Sequence, residues 1–218
     1  MKQRRYRLDE GVFDEMQTAD QWYWFGFLLA DGCVFTRRQG REWLLQVKLQ
    51  RDDRHLVESL RYFLRYTGKI RYLRKDNAVV LVIYSKRLCI RLVELGVVPR
   101  KSFDGHPMPV VPNHFAFAFF RGHFDANGCI HQRTINSFRL EFSGQRRLMR
   151  WLQEKIEHLV GAVGGRIDEH TGCASLVYGR RQEVNAIAQW LCGFDDSGSN
   201  LPCLLRKRVP LDPLLQGE

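Results

Sequence analysis

The chain carries one short segment twice. Residues 24–34 read W-F-G-F-L-L-A-D-G-C-V, and residues 120–130 read F-R-G-H-F-D-A-N-G-C-I. Gly26 and Gly122, Ala30 and Ala126, Asp31 and Asn127, Gly32 and Gly128, and Cys33 and Cys129 fall in register at an offset of 96 residues, close to half of the 218 in the chain. Self-similarity at a fixed offset limits the folds open to a sequence more sharply than composition does. Here it predicts two pseudo-symmetric halves on one chain.

The patterns downstream of the two copies match in order. Leu45-Gln46-Val47-Lys48-Leu49-Gln50 and Arg139-Leu140-Glu141-Phe142-Ser143 alternate apolar and polar residues, the pattern of a strand with one buried face. Leu56, Leu60, Phe63 and Leu64, and later Leu148, Leu152, Ile156 and Leu159, recur at helical spacing. β-rich runs come next, Ala78 to Tyr84 and Ala174 to Tyr178. A second helical pattern then closes each half: Leu88, Leu92 and Leu95, ended by Gly96, and Val184, Ile187 and Leu191. Each half reads α-β-β-α-β-β-α, which makes an α+β fold of two half-domains, 20–101 and 113–208. A basic extension (1–19) precedes them and a tail (209–218) comes after. The prolines of His106-Pro107-Met108-Pro109-Val110-Val111-Pro112 make 102–112 an extended linker.

Gly26 and Ala30 stand four apart in the first copy, and Ala118, Gly122 and Ala126 continue that spacing in the second. Residues at i, i+4 and i+8 share a helix face, so each helix presents a strip without bulky side chains. Two such helices can pack with their backbones close. A tight contact inside an ordinary core would account for the strip by itself; the helix ends add chemistry. Gly32 and Gly128 read as left-handed residues that stop the helices, leaving Asp31 and Asn127 in the last turns. A carboxylate there faces the negative end of the helix dipole, at a cost of about 0.3–1 kcal/mol that a bound cation would offset. Two tips side by side, with the neighbouring carbonyls of Ala30 and Ala126, form an oxygen-rich site suited to a hard cation such as Mg²⁺.

Lys and Arg number 34 against 24 acidic residues, for a formal net charge of +10 and a pI near 9.6. A polyanion is the natural partner for that field, since each phosphate neutralised releases condensed counterions. The opening Met1-Lys2-Gln3-Arg4-Arg5 lacks the apolar run of a secretory signal, and no apolar stretch is long enough to span a bilayer, so no membrane partner is expected. The six cysteines and seven histidines show no zinc-ligand spacing. Reduced cysteines in an intracellular setting, whether cytoplasm, nucleoid or organelle, are the expectation. His123 and His131 read as packing or DNA-facing residues.

The duplicated segment, its spacing and the shared element order resemble the LAGLIDADG homing endonucleases in their single-chain form with two motifs. The resemblance spans roughly Asp20 to Lys207, and Tyr23-Trp24 and Phe119-Phe120-Arg121 before the two copies share it. It implies that the motifs meet at a helix–helix interface and that two curved antiparallel sheets lie along the DNA major groove. The implied activity is metal-dependent hydrolysis of a long asymmetric duplex site by a monomer with internal pseudo-twofold symmetry. By the same resemblance Asp31 and the Asn127 position bind metal, Mg²⁺ is the cofactor, and Ca²⁺ binds without supporting cleavage. Lys101, in Pro99-Arg100-Lys101-Ser102, and Lys207, in Leu205-Arg206-Lys207-Arg208, match lysines that the family places beside the scissile phosphates. A free-standing, intron-encoded enzyme is expected.

The second copy departs from the motif at Asn127, which offers an oxygen but no negative charge. A nickase, a natural binding protein without cleavage, and a substitution introduced to prevent cleavage all fit. The family also contains RNA maturases, so a non-cleaving regulator or a maturase on the same scaffold stands as the alternative to the nuclease. Asp125, two residues earlier, falls on another helix face and reads as structural or DNA-proximal. For base readout the first half offers Arg37, Arg38, Gln39, Arg41, Gln46, Lys48 and Gln50, with Arg71, Arg74 and Lys75 beside them. The second half offers His131, Gln132, Arg133, Asn136, Arg139 and Glu141, with Arg166 and His170. Arg and Gln suit guanine and adenine edges, and two strips at equivalent places favour groove contact.

Overall fold

A computed structural model describes residues 6–97, 108–134, 137–192 and 201–208. Lys101, Asn136, most of the linker and the tail at 209–218 lie outside the described residues, as do the side chains of Gln132 and Arg133.

The first half runs α1 (Ala19–Asp31), β1 (Cys33–Arg37), β2 (Glu42–Gln50), α2 (Arg54–Phe63), β3 (Arg71–Leu73), β4 (Ala78–Tyr84) and α3 (Lys86–Glu94). The second repeats it as α4 (Ala116–Asn127), β5 (Gly128–Thr134), β6 (Ser137–Gly144), α5 (Arg146–Val160), β7 (Arg166–His170), β8 (Cys173–Tyr178) and α6 (Arg181–Cys192), and a single turn, α7 (Leu205–Arg208), comes last. This is the α-β-β-α-β-β-α order read from the sequence, in both halves. Local signals set the boundaries. Thr18 and Gln21 form a reciprocal capping box at the start of α1, Gln21 N donating to Thr18 Oγ1 and Thr18 N to Gln21 Oε1. Ser85 caps α3 by accepting from Leu88 N, and α5 stops at Gly161 with φ +76°.

The two sheets have one topology, β1-β2-β4-β3 and β5-β6-β8-β7, all antiparallel. Alternation along β2 sends Leu45 and Val47 into the core with Leu81 and Ile83 of β4, beneath Leu56, Val57 and Leu60 of α2. In the second half Leu140, Phe142 and Leu176 do the same beneath Leu148, Leu152 and Ile156. Among the described residues each sheet therefore carries helices on one face only. The two cores are continuous through α1 and α4, which pack against each other along their length. The segment before α1 belongs to this core as well: Phe13 is fully buried, and Asp9 N donates to Leu64 O. Among the described residues no helix is long and apolar enough to cross a membrane.

Candidate functional site

The small-residue strip determines how closely α1 and α4 approach. A Cβ on Gly26 would lie 2.1 Å from the carbonyl oxygen of Phe119, and one on Gly122 would lie 1.9 Å from that of Tyr23. Both distances are far inside van der Waals contact, and both obstacles are backbone. Tyr23 and Phe119 are themselves 96 residues apart, so the contact is reciprocal, as a pseudo-twofold axis between the helices requires. Ala118 is fully buried at the crossing, while Ala30 and Ala126 are half-buried near its exit.

At the tips the backbone differs from the sequence expectation. Gly32 (φ −68°, ψ 142°) and Gly128 (φ −89°, ψ 164°) are extended, not left-handed. The chain does not curl back at either helix end; it passes straight into β1 and β5. Glycine is needed there for room: a Cβ would meet Leu28 O at 2.7 Å in the first half and the Phe124 ring at 2.1 Å in the second. Asp31 is half-buried, and Asn127 is exposed. The Asn127 amide donates from Nδ2 to the carbonyl oxygen of Ala30 at 3.2 Å, so the second tip reaches across to the first.

A cation at this place would find hard oxygen donors: the Asp31 carboxylate, the Ala30 carbonyl and the Asn127 side chain. Among the described residues no three His, Cys, Asp or Glu side chains cluster as a metal site, so further ligands would have to come from water or a bound phosphate. With one carboxylate the donor set fits Mg²⁺ at the Asp31 end better than at the Asn127 end.

The C-terminal segment packs against the same end of α4. Lys207, only 5% exposed, donates from Nζ to the carbonyl oxygens of Phe124 (2.7 Å) and Asp125 (2.6 Å), in the last turn of α4. Its charge thus lies on the negative end of that helix. Burial pushes its pKa down to about 8, against the opposing pull of Asp125. Neighbouring Arg206 holds buried Asp53 through Nε at 3.1 Å, and His55 Nε2 lies 3.2 Å from Cys203 O. The segment therefore spans from α4 of the second half to the start of α2 in the first. Arg121 Nη2 adds a hydrogen bond to Leu201 O.

Asp125 is buried and accepts from Tyr23 Oη at 2.6 Å across the helix pair. Burial raises both pKa values, so Tyr23 stays a donor. Sequence pattern does not disclose this bond, nor those of Asp53 and Arg121. Their one sequence signal is Arg121, His123 and Asp125 standing among phenylalanines in α4, where buried polar groups need partners.

The helix-free sheet faces hold most of the readout candidates. Gln46, Lys48 and Gln50 alternate with core residues along β2, and Lys48 pairs with Asp76 at 2.7 Å. Arg38, Gln39 and Gly40 turn the β1–β2 hairpin with positive φ, Arg38 pairing with Glu42, and Arg41 comes next, exposed. Arg37 lies 5.3 Å from the ring centre of Phe35, while Arg71, Arg74 and Lys75 are exposed at the far edge. In the second half Arg139 bridges Glu141 (3.1 Å) and Asp168 (3.7 Å), and Arg166 pairs with Asp168 at 2.8 Å. His131 is exposed with Nε2 3.1 Å from Cys129 Sγ, and His170 is exposed at the end of β7. His123, by contrast, is fully buried beside Phe142. A broad groove between the N-terminal segment and α2, lined by Arg7, Asp20 and Tyr62 among others, includes none of these candidates.

No sequence-family model matches the chain, and no curated protein does. Solved structures do match. The LAGLIDADG meganuclease I-AabMI bound to uncleaved DNA is similar over 90% of this chain and 89% of its own, at 15% identity and a TM-score of 0.60. Meganuclease I-SmaMI bound to uncleaveable DNA with a TTGT central four is similar over 93% and 89%, at 13% identity and 0.63. Full-length DUF199/WhiA from Thermatoga maritima is similar over 96% of this chain and 64% of its own, at 12% identity and 0.51. At these identities the likeness is one of fold.

Proposed function

We propose that this chain, which has the LAGLIDADG endonuclease fold, binds a long asymmetric duplex DNA site through its two helix-free sheet faces and hydrolyses phosphodiesters in it with a divalent metal. The strand served by the Asp31 tip is cut in preference to the other, so nicked duplex is the main product. The observation that carries this reading is the meeting of the two helix ends, with Asn127 Nδ2 on Ala30 O, between two uncovered sheets.

Asp31, with the Ala30 carbonyl, would hold the metal, as would Asn127 and the Ala126 carbonyl more weakly. When bound, a divalent cation supplies positive charge to the phosphoryl oxygens and acidity to the attacking water. The chain's own groups do the rest. The reciprocal glycine contact holds the two tips at a fixed spacing, so a phosphate seated between them is positioned without reorganisation. Lys207 keeps an ammonium group in a low-dielectric setting, where its charge on a developing phosphorane counts for more than in water. Lys101 is assigned the matching role in the first half. The basic surface, net +10 over the chain, supplies sequence-independent affinity for phosphate.

A non-cleaving DNA-binding protein is the second reading. It draws support from the Asn127 amide, which already occupies the Ala30 carbonyl that a cation would otherwise engage. Selection of bound and of cut duplexes from a randomised library, in Mg²⁺ and in Ca²⁺, separates the two. Enrichment of one long asymmetric site in both ions, with nicking only in Mg²⁺, is the outcome expected of the nuclease. Binding without a nick in either ion overturns cleavage and leaves the binding protein.

A further inference from the structure

The helix-free face of the first sheet carries an apolar patch where the second carries mostly polar and charged residues. Strand register places Phe35, Leu44 and Tyr84 in one row across β1, β2 and β4, with Val82 and Val80 in the next two rows of β4. None of these five belongs to the core between sheet and helices, so they line the opposite face. Leu44 and Val80 are covered by their neighbours, Phe35 and Val82 are half-buried, and Tyr84 is 51% exposed. Cys33 pairs with Gln46, and its counterpart Cys129 pairs with Glu141, which fixes the correspondence of the two sheets. At the places of Phe35, Leu44 and Val80 the second half carries His131, Arg139 and Ser175; at that of half-buried Val82 it carries Val177, which is apolar too but buried.

A face laid along the major groove meets hydrogen-bonding edges everywhere except at the thymine C5-methyl, the apolar group that a base pair presents there. Apolar side chains opposite a cytosine amine or a guanine carbonyl would leave those groups without a partner, at a cost. We infer that the first half reads thymine methyl groups through Phe35, Val82 and Tyr84, and that the second half reads hydrogen-bonding edges through Arg139 and Glu141. The target is therefore asymmetric in composition, with thymines in the half-site under the first sheet and G·C pairs under the second. Leu44, between Phe35 and Tyr84 in one row, and Val80, two residues from Val82 along β4, flank the contacting side chains. Arg37, Lys48 and Arg71, at the borders of the apolar patch, are placed for phosphates, which keeps a bare apolar surface inside a polyanion's groove.

This inference rests on the duplex-binding reading, and the test distinguishes the two. Bound duplexes are selected from a randomised library in Ca²⁺, and each thymine of the selected site is then replaced by uracil, which removes the methyl and nothing else. Binding is expected to weaken about fourfold per contacted methyl, roughly 0.8 kcal/mol, at two or three positions confined to one half-site. In a Val82→Thr/Tyr84→Ser double variant, with its thermal unfolding measured alongside, uracil should stop weakening binding at every sensitive position but the one left to Phe35, while base preferences in the other half-site persist. Uracil without effect, sensitive thymines spread over both half-sites, or discrimination that survives at more than one position in the double variant would overturn the inference and leave duplex binding standing. Failure of any duplex to be enriched removes the duplex reading, and this inference with it.

Discussion

At equivalent steps of the two central helices the first half carries Tyr23 and Leu29, and the second carries Phe119 and Asp125. One side of the helix pair thus has a buried Tyr–Asp hydrogen bond at 2.6 Å, where the other has only apolar side chains to offer. The same division recurs at the tips, Asp31 against Asn127, and on the sheet faces, an apolar patch against the ion pairs of Arg139 with Glu141 and Asp168. The features that keep the halves alike are backbone: sheet order, the reciprocal glycine contact, and glycines that let each helix run straight into a strand. The backbone features on which the fold depends recur in both halves, while the side chains built on them differ.

Making the tips alike should have the largest effect. Asp31→Asn gives both helices the Asn127 chemistry, and nicking should fall by roughly 10²–10³-fold with affinity in Ca²⁺ unchanged; a variant that still nicks at the parental rate places the chemistry elsewhere. Next comes the contact that the halves share. Gly26→Ala and Gly122→Ala each drive a methyl into a backbone carbonyl, so each should lower unfolding free energy by about 3 kcal/mol or more, and by similar amounts. A large difference between them in denaturant melts would break the reciprocity.

Tyr23→Phe removes one partner of a buried pair and should cost about 1–3 kcal/mol. Adding Asp125→Leu, which reproduces the residues of the other side, should return much of that loss. Restoring charge at the second tip works in the opposite direction. Asn127→Asp should raise second-strand cutting about tenfold, equivalent to ~1.4 kcal/mol in the barrier, and turn nicks into breaks. If that protein binds its site and Mg²⁺ yet cuts no faster, the role given to the helix tips is wrong.

The smallest effect is one of pH. Folded Lys207 titrates at about 8, below the 10.5 of an ordinary lysine, so the folded chain binds fewer protons than the unfolded one across that window. Its contribution to stability therefore rises as pH climbs from about 8, while cleavage that needs the ammonium declines over the same range. Thermal melts and single-turnover nicking between pH 7 and 9 should diverge in wild type. In Lys207→Met the nicking rate should lose this decline.

Much of the fold was legible from pattern alone. Alternation in Leu45–Gln50 and helical spacing in Leu148–Leu159 identify elements, because burial of one face is a local property of the sequence. The strip of Gly26, Ala118 and Gly122 pointed to a close helix pair for the same reason. The role of Gly32 and Gly128 was not legible. A glycine that turns a chain and one that makes room look identical in sequence, and only the neighbours Leu28 and Phe124 decide between them. The resemblance singles out Lys207, but no local pattern signals its burial on the carbonyls of α4. That depends on a segment some 80 residues away in the chain.

The sequence by itself determined that there are two halves, where their strands and helices run, and which short helix face bears no bulk, because repetition and periodicity survive without any partner being known. Tertiary structure decided how the helix tips meet, that Asp125 and Lys207 are buried, and which strand residues share the uncovered rows. Those depend on distances between residues far apart in the chain, and no local pattern encodes them.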